Sequence, residues 1–301
     1  MSTQASDYQA DDQLANLAGC AVRHGTIPAG GLNLHFVETG QGRPLLLIHG
    51  LNIGWGQWYR NLAGLAKRFR VIAVDLPGCG ASPGPEYRAL APADYRRAIA
   101  ALADQLALTD MTVVGHSFGS TLALGLALDR PGRVSRVIVA GPLALSQAMP
   151  PAHRPITIYP LAWVVSHTVM RPTRTNLHRF LAGAVDQANP LPDALLDYYA
   201  NRLHRHPRRH PFMFMSSLSR HGRYRSGVAL PPTELAAVAV PVLVVAGRRD
   251  RITPPSGLAP AMAHLPRGRL TIVRGCGHVP NLELPGQFNQ LIEQFVTQKA
   301  A

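Results

Sequence analysis

Short apolar runs alternate along the chain with longer stretches in which apolar residues recur at helical spacing. Continuous runs of valine, leucine and isoleucine are typical of strands buried on both faces of a parallel sheet. Such runs lie at residues 44–49, 71–74, 112–114, 137–140, 242–245 and 270–273. Helical spacing is found at 57–68, 93–106, 121–129, 256–264 and 287–298. The alternation predicts an α/β fold, with a mainly parallel sheet covered by helices on both faces.

The N-terminal part of the chain adds an antiparallel edge to this sheet. Two further runs, at residues 21–26 and 32–38, flank a turn sequence that contains proline and two glycines. The second run alternates apolar and polar residues, which is typical of a hairpin at a sheet edge. Residues 1–20 are polar and acidic, without the positive start and apolar stretch of a secretory signal. We expect them to form a flexible N-terminal extension.

One long segment, residues 145–233, interrupts the alternation. It has no buried-strand run and is dense in proline, histidine, arginine and aromatic residues. We predict that it is a helical lid inserted into an α/β core formed by residues 21–144 and 234–301. Its aromatic side chains are expected to cover a site, and they can at the same time form the core of a small helical subdomain.

Composition and charge restrict the class of protein. The chain has 301 residues, of which 47% are hydrophobic and 16% charged, as expected for one folded α/β domain with an insertion. The formal net charge is +13, and the basic residues are dispersed arginines apart from Lys67 and Lys299. No RNA-binding signature accompanies this charge, so it indicates solubility and electrostatic steering and no specific nucleic-acid partner.

Cysteine and histidine usage gives no sign of a disulfide framework or a metal site. The three cysteines are scattered, and His204, His206 and His210 have no carboxylate or cysteine at ligand spacing. We interpret that histidine and arginine segment as a solvated basic face. No stretch approaches the roughly 18 uninterrupted apolar residues of a transmembrane helix. The sequence therefore predicts a soluble, reduced, cytoplasmic protein without a metal ion.

The clearest chemical motif is Gly115-His116-Ser117-Phe118-Gly119, which follows the strand at 112–114 and precedes a helix. A serine at such a sharp strand-to-helix turn takes a strained conformation, and the glycines two residues away on each side prevent clashes. The start of the helix offers unpaired N–H groups to a developing oxyanion. The motif predicts Ser117 as a nucleophile.

A serine hydroxyl needs a base, and the base needs an acid that fixes its tautomer. His278 directly follows the last predicted strand, and Asp250 follows the strand at 242–245. Because the carboxyl ends of parallel strands share one rim of the sheet, we expect Ser117, Asp250 and His278 to meet there as a catalytic triad. The alternative for Asp250 is an exposed ion pair with its three arginine neighbours.

The loop after the first buried strand is the candidate oxyanion loop. We assign the backbone N–H groups of Leu51 and Phe118 to an oxyanion hole. Asn52, Trp55 and His116 are candidate pocket residues, although Trp55 could equally pack the first helix against the sheet.

Five segments together resemble the successive signatures of the α/β-hydrolase superfamily, in its serine esterase and lipase branch. They are His49-Gly50, the Asp75–Ser82 turn, the Ser117 motif, Gly247-Arg-Arg-Asp250 and Gly275-Cys-Gly-His278. The resemblance covers residues 22 to 298 apart from the insertion. It implies an eight-stranded, mostly parallel sheet with a helical lid between strands six and seven. It also supports the triad and the two oxyanion donors.

Departures from related patterns narrow the chemistry. Haloalkane dehalogenases and epoxide hydrolases resemble this frame but have aspartate at the position of Ser117. Hydroxynitrile lyases have lysine after the histidine, where Val279 stands here. Hydrolases of carbon–carbon bonds in ring-cleavage products often have asparagine before the serine, whereas His116 resembles the esterase and lipase pattern.

We therefore expect a serine hydrolase that cleaves carboxylic esters of a small-molecule acyl substrate through an acyl-enzyme on Ser117, without a metal or organic cofactor. The same triad could instead cleave a thioester, a lactone or the carbon–carbon bond of a vinylogous diketone. A non-catalytic ligand receptor of the same fold is the remaining alternative. The arginines between 202 and 209 suggest an acidic substrate. The sequence leaves the oligomeric state open.

Overall fold

The computed structural model describes residues 14–50, 53–85, 90–146, 149, 154–168, 170–171, 173–186, 188, 191, 193–205 and 210–298. Within these residues the strands are β1 (Arg23–Ala29), β2 (Leu32–Thr39), β3 (Arg43–Ile48), β4 (Phe69–Val74), β5 (Met111–His116), β6 (Val134–Ala140), β7 (Ser219–Arg220), β8 (Arg223–Tyr224), β9 (Val242–Gly247) and β10 (Gly268–Val273).

Eight of these strands form the main sheet, in the order β1-β2-β4-β3-β5-β6-β9-β10. The pairs β1–β2 and β2–β4 are antiparallel, and every pair from β4–β3 to β9–β10 is parallel. The predicted eight-stranded, mostly parallel sheet with an antiparallel hairpin at its edge is confirmed. Strands β7 and β8 form a separate small hairpin.

Helices cover both faces of the main sheet. The helices of the described residues are α1 (Tyr59–Leu65), α2 (Pro92–Gln105), α3 (Phe118–Asp129), α4 (Tyr159–His167), α5 (Arg174–Ala182), α6 (Asp193–Arg205), α7 (Pro211–Ser217), α8 (Pro232–Ala236), α9 (Ala259–Met262), α10 (Pro280–Glu283) and α11 (Pro285–Thr297). Helices α2 and α3 contribute to the apolar cluster on one face, and α1 and α11 to the cluster on the other.

Strand β3 shows why the sequence forms a two-faced core. Leu46 and Ile48 belong to one cluster, while Leu45 and Leu47 belong to the other. Side chains alternate between the two faces of a strand, so a strand buried on both faces must be apolar at every position. The continuous apolar runs in the sequence therefore mark the central parallel strands.

Between β6 and β9 the described chain contains helices α4 to α8 and the hairpin β7–β8. Several of their side chains line a cavity next to the carboxyl ends of the parallel strands. The division of the chain into a core and a lid at residues 145–233 stays a prediction. No helix among the described residues has the length and apolar character that crossing a membrane requires.

The core extends further towards the N-terminus than expected. Residues 1–13 of the predicted flexible extension lie outside the described residues. In the remainder, Leu14 and Ala18 are 1% and 5% exposed and belong to one of the apolar clusters. These two residues therefore do not belong to the predicted flexible extension, because their side chains are buried with the first helix of the core.

Candidate active site

Ser117 lies at the turn between β5 and α3, in a strained backbone conformation with φ of 50° and ψ of −117°. A Cβ atom at Gly115 would lie 2.2 Å from the carbonyl oxygen of Gly119, and one at Gly119 would lie 2.3 Å from that of Ile48. Only glycine can therefore flank the serine at these two positions. The turn places Ser117 at the rim formed by the strand ends, where it is buried and lines a cavity.

Asp250 lies just after β9 and is held by four hydrogen-bond donors. Its Oδ1 accepts from the N–H groups of Ile252 and Thr253, both at 2.8 Å. Its Oδ2 accepts from the Thr253 hydroxyl at 2.7 Å and from His278 Nδ1 at 2.9 Å. Burial alone would raise the pKa of Asp250, but the His278 imidazole and the Thr253 donors outweigh burial and hold this pKa well below its usual range. The carboxylate is therefore ionised.

His278 follows β10 and completes the contact with Asp250. Because the ionised carboxylate accepts a hydrogen bond from Nδ1, that nitrogen carries the proton and Nε2 has the free lone pair. Ser117 and His278 lie in the wall of the same cavity. The structure has no hydrogen bond between Ser117 Oγ and His278, a contact that often tightens only when substrate binds. Thus Asp250 and His278 are joined, and Ser117 faces the space beside them.

His116 links the serine turn to the histidine loop. Its ring packs edge-on against His278 at 4.9 Å between centroids, and its Nε2 lies 2.9 Å from the carbonyl oxygen of His278. Burial, and then the nearby His278, lower the pKa of His116 to about 3. His116 is therefore neutral and donates from Nε2, which braces the backbone of residue 278. It also lines the cavity.

The cavity beside Ser117 has a volume of about 430 Å³ and is lined mainly by apolar side chains. Many of them come from the segment between β6 and β9, including Phe180, Leu181, Phe212 and Phe214. Polar groups are concentrated near Ser117, where Gln57, His116 and His278 also reach the wall. Arg251 is the one arginine or lysine among the described lining residues. The cavity suits a largely apolar ligand with its reactive group at one end.

Two of the candidate oxyanion and pocket residues, Leu51 and Asn52, lie outside the described residues. Phe118 is the first residue of α3, where a backbone N–H has no acceptor within the helix. This position fits the predicted oxyanion donor. The Phe118 ring points away from solvent and packs edge-on against Tyr95 and Phe214.

The expectation that Trp55 lines the pocket is wrong. Its side chain is fully buried, lies edge-on to Tyr198 at 6.1 Å between ring centroids and is not in the cavity wall. The Trp55 backbone N–H donates to Asp75 Oδ1 at 2.5 Å. Trp55 therefore takes the alternative role, which was to pack the start of the first helical segment against the sheet.

Three other polar residues make hydrogen bonds that stabilise the fold and do not line the cavity. His49 is fully buried, accepts from the Leu76 N–H at 2.9 Å and has its pKa lowered to about 4 by burial, against a smaller opposing effect of Asp75. Arg202 is buried and donates to the carbonyl oxygen of Gly80 at 3.1 Å, away from the cavity. His210 caps α7. No group of three metal-ligating side chains lies together in the described part of the chain.

Sequence reasoning missed three residues that support the site. Thr253 holds Asp250, and an aspartate followed three residues later by threonine is a recognisable local turn pattern. Gln57 accepts from the Gly50 N–H at 3.1 Å at the base of the candidate oxyanion loop. Glu283 contacts the loop of His278. Gln57 and Glu283 have no local signal, because their partners include residues far away in sequence.

The eight-stranded, mostly parallel sheet with helices on both faces is the α/β-hydrolase fold, and comparison with known proteins agrees. The family model for the α/β-hydrolase fold matches residues 43–285. The chain belongs to the α/β-hydrolase fold family and is a hydrolase of that family.

Two relatives and one solved structure illustrate the range of this similarity. The chain is 28% identical over 283 residues to 2-hydroxymuconate semialdehyde hydrolase from Pseudomonas sp. strain CF600, covering 91% of this chain and 94% of that protein. It is 30% identical over 269 residues to pimeloyl-[acyl-carrier protein] methyl ester esterase from Nitrosomonas europaea, covering 85% and 96%. The crystal structure of carboxylesterase CesB from Bacillus subtilis superimposes with a TM-score of 0.79 at 20% identity, covering 100% of both chains.

Proposed function

We propose that this hydrolase breaks an acyl bond by covalent catalysis, with Ser117 as nucleophile, His278 as general base and acid, and Asp250 as the acid that orients His278. The observation that carries this proposal is the buried His278–Asp250 contact of 2.9 Å, with His278 in the wall of the same cavity as the strained Ser117 turn. Buried groups that orient one another in this way are the requirement for activating a serine.

The proposed reaction has two halves. Ser117 Oγ attacks the substrate carbonyl carbon while its proton passes to His278 Nε2, and the N–H of Phe118 stabilises the oxyanion. The bond to the leaving group then breaks, and the His278 imidazolium protonates that group. Water attacks the acyl-enzyme with His278 again as base, and release of the carboxylic acid restores Ser117. The substrate gains one water molecule in all.

For the bond that is cleaved, the carbon–carbon bond of a vinylogous diketone is our first candidate. Similarity along nearly the whole chain to 2-hydroxymuconate semialdehyde hydrolase supports it. In this reaction the broken carbon–carbon bond leaves its electron pair on a delocalised enolate, which takes a proton on carbon. Arg251, the one arginine or lysine among the described residues that line the cavity, suits 2-hydroxymuconate semialdehyde, which carries a carboxylate.

A carboxylic ester, which the sequence alone favoured, is the second candidate. Two observations favour it: the residue before Ser117 is histidine, and the chain is 30% identical to a methyl ester esterase. The leaving group is then an alkoxide, which His278 protonates on oxygen. The catalytic residues and the acyl-enzyme are the same for both candidates.

The two candidates are separated by measuring kcat/KM of the purified protein for 2-hydroxymuconate semialdehyde and for a series of p-nitrophenyl esters, with Ser117→Ala as blank. We expect 2-hydroxymuconate semialdehyde to be hydrolysed with the higher kcat/KM. Hydrolysis of the esters without hydrolysis of 2-hydroxymuconate semialdehyde would show that esters are the substrate class. Wild-type activity that survives in Ser117→Ala would overturn the proposed mechanism as a whole.

A further inference from the structure

A short piece of chain after α5 touches the loops of both proposed triad partners of Ser117. We call residues 184–186 the strap. The strap begins in the cavity wall, which Ala184 lines. It also contacts the loop that contains His278, Glu283 at the end of α10, and the residue before Asp250. The strap therefore connects the substrate cavity to the residues that would activate the serine.

The first contact joins the strap to the backbone of the proposed base. The His278 N–H donates to the carbonyl oxygen of Ala184 at 2.6 Å. The preceding residue must be glycine, because a Cβ atom at Gly277 would lie 2.7 Å from that oxygen and 2.9 Å from the nitrogen of Asp186. The two segments thus approach as closely as backbone allows, directly beside the imidazole.

The second contact is a buried carboxylate, Glu283, at the end of α10. Its side chain accepts from the N–H groups of Gly277 and Val279, both at 2.9 Å, so the two residues that flank His278 are tied to one group. It also accepts from the N–H of Asp186 at 2.7 Å. Glu283 is 5% exposed, so loss of its oxygens would leave three donors without solvent to replace them.

The third contact reaches the loop of the proposed acid. Arg249 Nη1 donates to both carboxylate oxygens of Asp186, at 3.0 and 2.8 Å. The backbone N–H of the same arginine donates to the carbonyl oxygen of Cys276 at 2.9 Å. Arg249 directly precedes Asp250, so the strap is connected to both loops whose side chains meet in the His278–Asp250 pair.

We propose that Glu283 and the strap position His278, so that one hydrogen-bonded unit sets both the orientation of the base and the part of the cavity wall that Ala184 forms. This inference rests on the proposed role of Ser117 and His278. Glu283 and Asp186 act through the backbone of the histidine loop and do not touch the substrate, so they are positioning residues. A ligand that shifts Ala184 shifts the imidazole with it.

The test compares Glu283→Gln and Arg249→Gln with Arg248→Gln as matched control, because Arg248 is an exposed neighbouring arginine that lines no described part of the cavity. Glutamine keeps the shape of Glu283 but has one acceptor oxygen for three N–H groups. The measured quantities are the rate at which a fluorophosphonate acylates Ser117 at saturating reagent, the concentration that gives half of that rate, and the melting temperature.

We expect Glu283→Gln to slow acylation on the order of 10²-fold and Arg249→Gln roughly 10-fold, as small misplacements of a catalytic group do. The half-saturating concentration should stay within about 3-fold of the wild type, because binding in the apolar cavity is unchanged. Arg248→Gln should react as the wild type does. A folded Glu283→Gln that is acylated at the wild-type rate overturns the proposal. If Glu283→Gln does not fold, Arg249→Gln decides, and a rate equal to that of Arg248→Gln overturns it.

Proton NMR supplies a readout that a general loss of stability would not give. A hydrogen-bonded Nδ1–H between histidine and carboxylate resonates far downfield. His35 and Asp75, joined at 2.7 Å, provide a second buried pair of this kind in the same molecule. In Glu283→Gln we expect the His278 signal, assigned by its loss in Asp250→Asn, to broaden while the His35 signal stays sharp. Equal sharpness of both signals contradicts the proposal.

The labelling experiment also distinguishes failure of this inference from failure of the proposed function. A wild type that does not react at Ser117 overturns the proposed function and this inference with it. A reactive wild type with an equally reactive Glu283→Gln overturns this inference alone.

Discussion

The Nδ1 atom of His278 lies 2.9 Å from Oδ2 of Asp250, and the two side chains are 5% and 0% exposed. Excluded from water, this contact is electrostatically stronger than it would be at the surface. Donors from Thr253 and Ile252 hold the carboxylate from the other side. The pair thereby fixes which nitrogen of His278 carries the proton, and leaves Nε2 free to accept one.

Replacing Asp250 with asparagine should remove the tautomer control while preserving the shape of the site. The amide can present an N–H to His278, which favours the tautomer with the proton on Nε2. We expect kcat to fall by about 10⁴-fold with KM little changed, as in other Ser-His-Asp triads. Steady-state kinetics with the better of the two substrate classes measures this. A loss of less than about tenfold would show that Asp250 does not orient the base.

Thr253 should contribute through its hydroxyl and not through its size. Thr253→Val removes the donor to Asp250 Oδ2 at 2.7 Å, and Thr253→Ser retains it. We expect the valine variant to lose roughly tenfold in kcat, the equivalent of about 1.4 kcal/mol of transition-state stabilisation, and the serine variant to stay near the wild type. Equal activities of the two variants would contradict the role of the hydroxyl.

The strained backbone at Ser117 should be visible in stability. Its φ of 50° is unfavourable for a residue with a Cβ atom. Ser117→Gly should therefore raise the free energy of unfolding by about 1 kcal/mol relative to Ser117→Ala, which keeps the Cβ. Urea unfolding of both inactive variants provides the comparison. A glycine variant less stable than the alanine variant would show that the turn is not strained.

Buried neutral histidines should make stability depend on pH. Burial lowers the pKa of His49 to about 4 and that of His116 to about 3, whereas a histidine in an unfolded chain has a pKa near 6.5. Below pH 6.5 these histidines bind protons in the unfolded state but stay neutral in the folded state. The stabilisation is complete above pH 6.5 and is lost as the pH falls towards the folded values. We expect roughly 2 kcal/mol less stability per histidine at pH 5 than at pH 7.

Urea unfolding at pH 7 and pH 5 measures this difference, and His49→Gln should reduce it. Glutamine can still accept the hydrogen bond from the Leu76 N–H but does not titrate. Equal stability of the wild type at the two pH values would contradict the buried, neutral state of these histidines.

Local patterns were sufficient to predict the sheet and the rim residues. The continuous apolar strands, the glycines around Ser117 and the position of His278 after β10 are all determined by nearby sequence. The order of strands placed Ser117, Asp250 and His278 on one rim because parallel strands share their carboxyl ends.

Contacts between distant residues could not be predicted in this way. Leu14 lies in a polar stretch of the sequence, yet it is buried because it packs against an apolar surface of the core. Trp55 lies close in sequence to the candidate oxyanion loop but packs away from the cavity. Glu283 bonds Asp186, which is 97 residues away, and no spacing in the sequence marks such a pair. Thr253 differs from these residues, because its turn with Asp250 involves residues three apart and could have been predicted from the sequence.

The most direct test of the catalytic assignment is to map the adduct of a fluorophosphonate on the wild type and on His278→Gln by mass spectrometry. We expect one modified peptide, with the adduct on Ser117 Oγ, and a rate of labelling that falls by orders of magnitude without the imidazole of residue 278. An adduct on another residue, or unchanged labelling of Ser117 in His278→Gln, would contradict the roles proposed for these two residues.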